Sequence, residues 1–361
     1  MRVAVIGAGG NGTGKINVLK QCPQVGSIIA VDVREQRVRE VTTELGVEAT
    51  TDLRQVLDDP RVELVFISSS NDAHRELALA SLEAGKAVLC EKPMANTLED
   101  ARAMVEAAEQ RGVYFEIGFE LRHSKLYMKV KEWIDQGLLG QIVNTHCFYV
   151  SSAYWEKGSW RVRTNTCGSM FGEKLSHYVD LPRWWIGDEV MQVYAVCAPN
   201  AVPYYEIHDN YHATYGFRNG ATSHLTFMMA PGATFRGDPL QNVVDQQLGD
   251  GHELRYFVQG THGAAEACIF TRTIRRWRFN NMDTEFASDV VEELTWPAQE
   301  DHAYYHNTTD QTKEVVRRVS EGLPPVTPAR DAYETTRLCF AAEASAGSGR
   351  LCRPGSDGFE V

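Results

Sequence analysis

Three side chains of this 361-residue chain stand where proton chemistry is expected: Lys92, Glu173 and His177. Lys92 follows the apolar run Ala87-Val88-Leu89-Cys90 and Glu91, so it sits where a predicted parallel strand ends. That edge is where open α/β sheets bind ligands. Pro93 fixes its own φ and restricts Lys92 to extended backbone, which holds the ammonium in place. A lysine so presented is suited to carry a proton or to bond a substrate oxygen. Glu173 and His177 are four apart in a segment, Phe171 to Trp185, that reads as a helix broken near Pro182. The spacing places both on one helical face. A carboxylate one turn from an imidazole orients the ring and raises its basicity. Asp180, three residues on, is a candidate partner for the second ring nitrogen or a local cap. Two ligands without a third at suitable spacing do not make a metal site, so no metal is expected.

A second constellation lies at the start of the chain. The apolar run Val3–Ile6 reads as a strand buried on both faces. It leads into Gly7-Ala8-Gly9-Gly10-Asn11-Gly12, the spacing G-x-G-x-x-G. Gly7 permits the turn, Gly9 lets the backbone approach a pyrophosphate, and Gly12 lets the next helix pack closely with its N-terminus toward the phosphates. Asp32 ends the following strand, twenty residues past Gly12, where a carboxylate reaches the ribose hydroxyls. It repels a 2′-phosphate, so NAD is expected over NADP, although Arg34 could turn toward a phosphate. Asn11, Ser69, Asn71, His74 and Glu91 complete the expected cofactor contacts. For His74 a purely structural role is an equal alternative.

The elements that must position these groups follow from periodicity. Strands and helices alternate to about residue 120, which means a doubly wound parallel sheet. From about Gln141 the texture changes to long alternating segments such as IVNTHCFYV and ELRYFVQG, as in an antiparallel sheet with one packed face. The fold class expected is α/β: a dinucleotide-binding domain over 1–120 and an α+β domain with a large, mainly antiparallel open sheet over 121–361. The final helix, 329–346, is expected to pack back on the first domain. A formal charge of −12 argues against nucleic acid or an anionic membrane as a main partner. The first strand begins at residue 3 and no apolar stretch reaches bilayer length, so a cytoplasmic protein is expected. Eight scattered cysteines without metal spacing fit a reducing compartment.

In order, Gly7-x-Gly9-x-x-Gly12, Asn71-x-x-His74, AGKAVLCEKP and Gly168…Glu173-x-x-x-His177-x-x-Asp180 resemble the Gfo/Idh/MocA family, the glucose–fructose oxidoreductase and inositol dehydrogenase group. The resemblance covers essentially the whole chain. It implies a Rossmann domain, a C-terminal α/β domain whose open sheet mediates oligomerisation, and a nicotinamide between the domains. It also maps the family's EKP lysine onto Lys92, its helix acid onto Glu173 and its helix histidine onto His177. The family acid is usually Asp, one methylene shorter than Glu173.

On this reading His177 is the base, Lys92 polarises the oxygen and relays the proton, and Glu173 orients substrate or histidine. Trp160, Arg163, Lys174 and Tyr178 are expected to contact substrate. Arg163 and Lys174 suggest that it is anionic, with solvent exposure of both as the alternative. The function expected is NAD-dependent hydride transfer to or from a secondary hydroxyl of a sugar, inositol or polyol, by a homodimer or homotetramer. One alternative is an NAD-dependent glycoside hydrolase working by transient C3 oxidation, elimination, water addition and re-reduction. The other is a non-catalytic NAD-binding regulator.

Overall fold

A computed structural model describes residues 1–153, 155–230, 252–280, 287–355 and 358–360. The chain divides into two units. The first comprises Met1–Glu120, Thr166–Gly168 and Thr308–Thr336; the second comprises Leu121–Asn165, Ser169–Asn307 and Arg337–Val361.

The first unit is built on strands β1 (Arg2–Ile6), β2 (Ser27–Val31), β3 (Glu48–Thr50), β4 (Val62–Ile67), β5 (Ala87–Glu91) and β6 (Phe115–Gly118). They pair in parallel in the order β3-β2-β1-β4-β5-β6. Period-two alternation divides their apolar residues between two cores. Ala4, Ile6, Ile29, Val31, Val65, Ile67 and Val88 face one core with helices His74–Glu83 and Leu98–Arg111. Val3, Val5, Ile28, Ala30, Leu64, Phe66 and Leu89 face the other with helix Gly10–Leu19. Helix Leu98–Arg111 starts as its sequence predicts, with the Thr97 side chain accepting from the Asp100 N–H.

The sequence reading placed 121–361 in one domain with its final helix packing back on the first; the first unit takes Thr166–Gly168 and the continuous segment Thr308–Thr336. Val315 and Val316 of helix Thr308–Glu321 are fully buried in the β1–β2 core, and Ala329, Ala332 and Tyr333 join the other. Their apolar spacing is visible in the sequence; which sheet they cover is not.

The second unit carries β7 (Ile142–Ser152), β8 (Val190–Cys197), β9 (Asn210–Phe217), β10 (Thr222–Ala230), β11 (Glu253–Gly260), β12 (Gly263–Cys268), β13 (Thr273–Phe279) and β14 (Ser288–Thr295). Among the described residues they form one sheet in the order β14-β13-β12-β11-β7-β10-β9-β8, antiparallel except where β10 meets β7. One face is covered by helices Lys125–Asp135 and Ser176–Ile186. The other leaves Phe148, Tyr194, Val196, Phe257 and Val290 exposed. No helix among the described residues is long and apolar enough to cross a membrane.

Candidate functional site

In the first unit the glycine loop joins β1 to helix Gly10–Leu19. Gly7 has φ +89° and donates its N–H to Val31 O at 2.8 Å. A Cβ at Gly12 would lie 2.0 Å from Gly7 O, so only glycine lets the helix seat against the strand. At Gly9 and Gly10 an added Cβ would meet nothing within 4 Å. The loop therefore leaves open space at a helix N-terminus, as a pyrophosphate needs. Asp32 is buried and accepts the Ala8 N–H at 3.1 Å. Arg34 clamps it, with Nε 3.0 Å from Oδ1 and Nη2 3.2 Å from Oδ2. Burial pushes the Asp32 carboxyl up, but the bonds from Arg34, its charge and the Ala8 N–H outweigh this and hold it below its ordinary value. Asp32 is therefore an anion, and Arg34 is engaged with it. Arg37, which sequence reading missed, braces the loop by donating to Ala8 O and Thr13 Oγ1, both at 2.6 Å.

Lys92 is half-buried at the end of β5, beside a cis peptide to Pro93. Its neighbours are fixed by buried polar contacts. The Nζ of Lys15, on the helix after the glycine loop, lies 2.7 Å from Glu91 Oε1, and both side chains are nine-tenths buried or more. The fully buried His74 bonds Pro93 O through Nδ1 at 2.8 Å. Asn71 and Asn96 donate to Cys167 O at 3.1 Å and Thr166 O at 3.3 Å. Gly168, with φ +85°, follows them, and a Cβ there would meet Asn96 Oδ1 at 2.9 Å. Asn11 is exposed, and Ser69 is half-buried at the end of β4.

In the second unit the predicted single helix from Phe171 is two pieces. Residues Phe171–Leu175 form a π turn, and Ser176–Ile186 an α-helix that continues through Pro182. The expected break at Pro182 does not occur; the chain instead changes from π to α turns before Ser176. The wider turn also alters the simple i,i+4 register assumed for Glu173 and His177. Both are buried. Glu173 accepts from Arg161 Nε at 2.8 Å, so Arg161 holds the candidate acid. Asp180 is engaged by Arg122 through two 2.7 Å bonds, both side chains nearly excluded from solvent. The Arg122 fork holds the middle of the helix that bears His177.

The remaining predicted residues are dispersed. Trp160 is half-buried under the Arg161 guanidinium at 4.5 Å, and Lys174 sits 5.7 Å over the Tyr149 ring. Arg163 is exposed, and Tyr178 is buried with its hydroxyl 2.9 Å from that of Tyr305. Beside this pair lies His306, whose ring centroid is 5.9 Å from that of His177. No local motif announces His306, since 129 residues separate it from its partner.

Residues 1–119 match the family model described as oxidoreductase family, NAD-binding Rossmann fold, and residues 127–266 match the GFO/IDH/MocA C-terminal domain. A myo-inositol 2-dehydrogenase from Thermotoga maritima is 33% identical over 196 residues, 54% of this chain and 58% of that protein. A levoglucosan dehydrogenase from Pseudarthrobacter phenanthrenivorans is 29% identical over 44% of this chain and 42% of its own. The matched region thus spans about half the length of these relatives. Among solved structures, a levoglucosan dehydrogenase with NADH and levoglucosan superposes with TM-score 0.78 at 20% identity, over 97% of this chain and 98% of its own. An oxidoreductase domain protein from Kribbella flavida gives 0.79 at 22%, over 98% and 99%. These likenesses establish the fold.

Proposed function

The chain belongs to the Gfo/Idh/MocA oxidoreductase family, and from that premise we propose that it oxidises a secondary hydroxyl of a sugar, inositol or related polyol, or reduces the matching ketone. The observation that carries the proposal is the pairing of a dinucleotide loop, open at Gly9 and closed at Gly12, with a Lys92 held on both sides. Bound NAD supplies a hydride acceptor. The protein's task is then to bind the alcohol, take its proton and steady the developing alkoxide. Lys92 bonds the reacting oxygen. His177 accepts the hydroxyl proton, and Glu173, fixed by Arg161, orients substrate or imidazole. The relatives named for inositol and levoglucosan support an uncharged cyclic polyol as substrate. An anionic one rests on Arg163 and Lys174 alone.

A homo-oligomer formed through the open sheet face belongs to the same proposal. Register places Tyr194, Phe257 and Trp277 on one surface with Phe148, Val196 and Val290, an apolar patch that a second copy would cover. Light scattering reads this directly as a dimer or tetramer mass against a monomer mass.

The function is tested by following reduced nicotinamide with NAD and a panel of polyols, sugars and glycosides, with free aglycone measured in the same wells. Sustained NADH formation with one alcohol is expected. Aglycone release that needs NAD but yields no net NADH would replace this reading with the redox-assisted glycosidase. NAD binding without turnover of any compound would favour the regulator.

A further inference from the structure

Resting on that reading, we propose that His306 is the proton exit for His177, passing the substrate's proton from the buried imidazole toward solvent. His177 is 2% exposed, whereas His306 is half-buried. Each turnover of an alcohol leaves one proton on the accepting side chain, and a base this deeply buried must shed it before it can act again. The two rings meet edge to face at 69°, with ring nitrogens within 4.8 Å of each other. A proton crosses such a span directly or over a single bridging water. An imidazole is fitted to such a role because it accepts at one nitrogen and releases from the other.

The surroundings show that His306 is held there. Residue by residue, the segment Tyr304–Asn307 is tied down. The Tyr304 ring stacks on Trp296 at 4.4 Å and 1°, and its carbonyl accepts from Ser124 Oγ. The Tyr305 hydroxyl meets that of Tyr178, the residue after His177, at 2.9 Å. Asn307 is buried and donates to His123 O at 3.0 Å. Consecutive residues on one segment, 305 and 306, thus face consecutive residues on a helix, 178 and 177. The His306 ring also packs on Tyr305 at 4.0 Å, which limits its rotation.

The proton count closes. As the alcohol becomes a carbonyl, its O–H bond breaks and an N–H bond forms on His177. That bond then breaks as a proton moves, directly or over one water, to one His306 nitrogen, and the opposite His306 N–H gives its proton to bulk water or buffer. His306 therefore acts through His177 and is a positioning and transfer residue.

The test uses the whole enzyme with the alcohol that the wild type oxidises, in dilute, weakly basic buffer. For His306→Ala, kcat is expected to fall at least about tenfold with KM and NAD affinity unchanged, within the range of general acid–base effects. Millimolar free imidazole should restore much of the loss and leave the wild type unaffected. His306→Asn, which keeps a polar planar side chain, is the companion if the alanine variant loses thermal stability; it should show the same loss and the same rescue. Unchanged kcat, or a loss that imidazole does not repair in either variant, would overturn the relay. So would loss of wild-type turnover on chelation with recovery on adding zinc, since the two imidazoles would then be metal ligands. A wild type that forms no NADH with any alcohol removes the dehydrogenase reading and the relay with it. That outcome is distinct from an active wild type matched by an active variant.

Discussion

The two units hold their candidate residues by different means. In the first, Lys92 is framed by its own chain neighbours Glu91 and Pro93, which Lys15 and His74 hold from helices on the two faces of one sheet. In the second, the partners come from outside the segment that carries the motif. Arg122 reaches Asp180, Arg161 reaches Glu173 across a π turn, and His306 meets His177 from beyond the whole sheet. A parallel sheet concentrates its functional edge in strand-end loops that recur at regular intervals. An antiparallel sheet with a helix on one face must assemble its site from chain ends that topology alone brings together. The first arrangement leaves motifs; the second leaves isolated residues.

The largest effect expected from breaking this contrast is at Lys92. Lys92→Ala should lower kcat about a thousandfold, within the range for a positioned proton donor or acceptor, while NAD affinity by fluorescence titration stays within a few-fold. Loss of NAD binding instead would make Lys92 a cofactor residue. Next comes the Lys15–Glu91 pair. Lys15→Met leaves a buried carboxylate uncompensated and should destabilise the first unit by about 3–5 kcal/mol in thermal or urea unfolding. Lys15→Met with Glu91→Leu should recover most of that, because removing both charges also removes their desolvation cost.

A second buried carboxylate of the first unit sharpens the comparison. Glu116 is fully buried on β6, and burial pushes its carboxyl from 4.5 up to about 7, against bonds from the Tyr114 hydroxyl and the Val326 and Thr327 N–H groups and the charge of Arg318. Because the folded value lies above the unfolded one, the folded state holds a proton that the unfolded chain releases between the two. Stability contributed by that proton is complete below 4.5 and is lost as pH rises through about 7, a loss of about 3 kcal/mol. Glu116→Gln should therefore remove much of the fall in melting temperature that the wild type shows over that interval. Parallel curves for the two proteins would contradict it.

The smallest effect concerns substrate charge. Arg163→Ala should raise KM several-fold with little change in kcat if the substrate is anionic. Its exposure favours no change, and an unchanged KM would leave the neutral polyol.

How much was legible follows the same division. The glycine loop, Asp32, the Thr97 cap and the parallel sheet could be read because each rests on contacts within a few dozen residues and on period-two alternation. β14, Ser288–Thr295, escaped notice because nearly all its residues are exposed and its apolar pattern is interrupted. Helix Ser176–Ile186 was recognised, but its start was not, because a π turn has no compositional mark and Pro182 sits in a helix that packing sustains. Glu173 and His177 were found by their types, whereas Arg161 as a clamp and His306 as a neighbour were not, since no helical or strand spacing pairs Arg161 with Glu173 and 129 positions separate His306 from His177.

The central claim, net transfer of hydride from a secondary alcohol with its proton taken up by the protein, is tested most directly with isotope. The preferred alcohol, deuterated at the carbon to be oxidised, is turned over with NAD, and the reduced cofactor and product are weighed by mass spectrometry. The account predicts one deuterium in NADH for each ketone formed. Deuterium returned to the sugar product with NAD unchanged, or NADH formed without label, would contradict it.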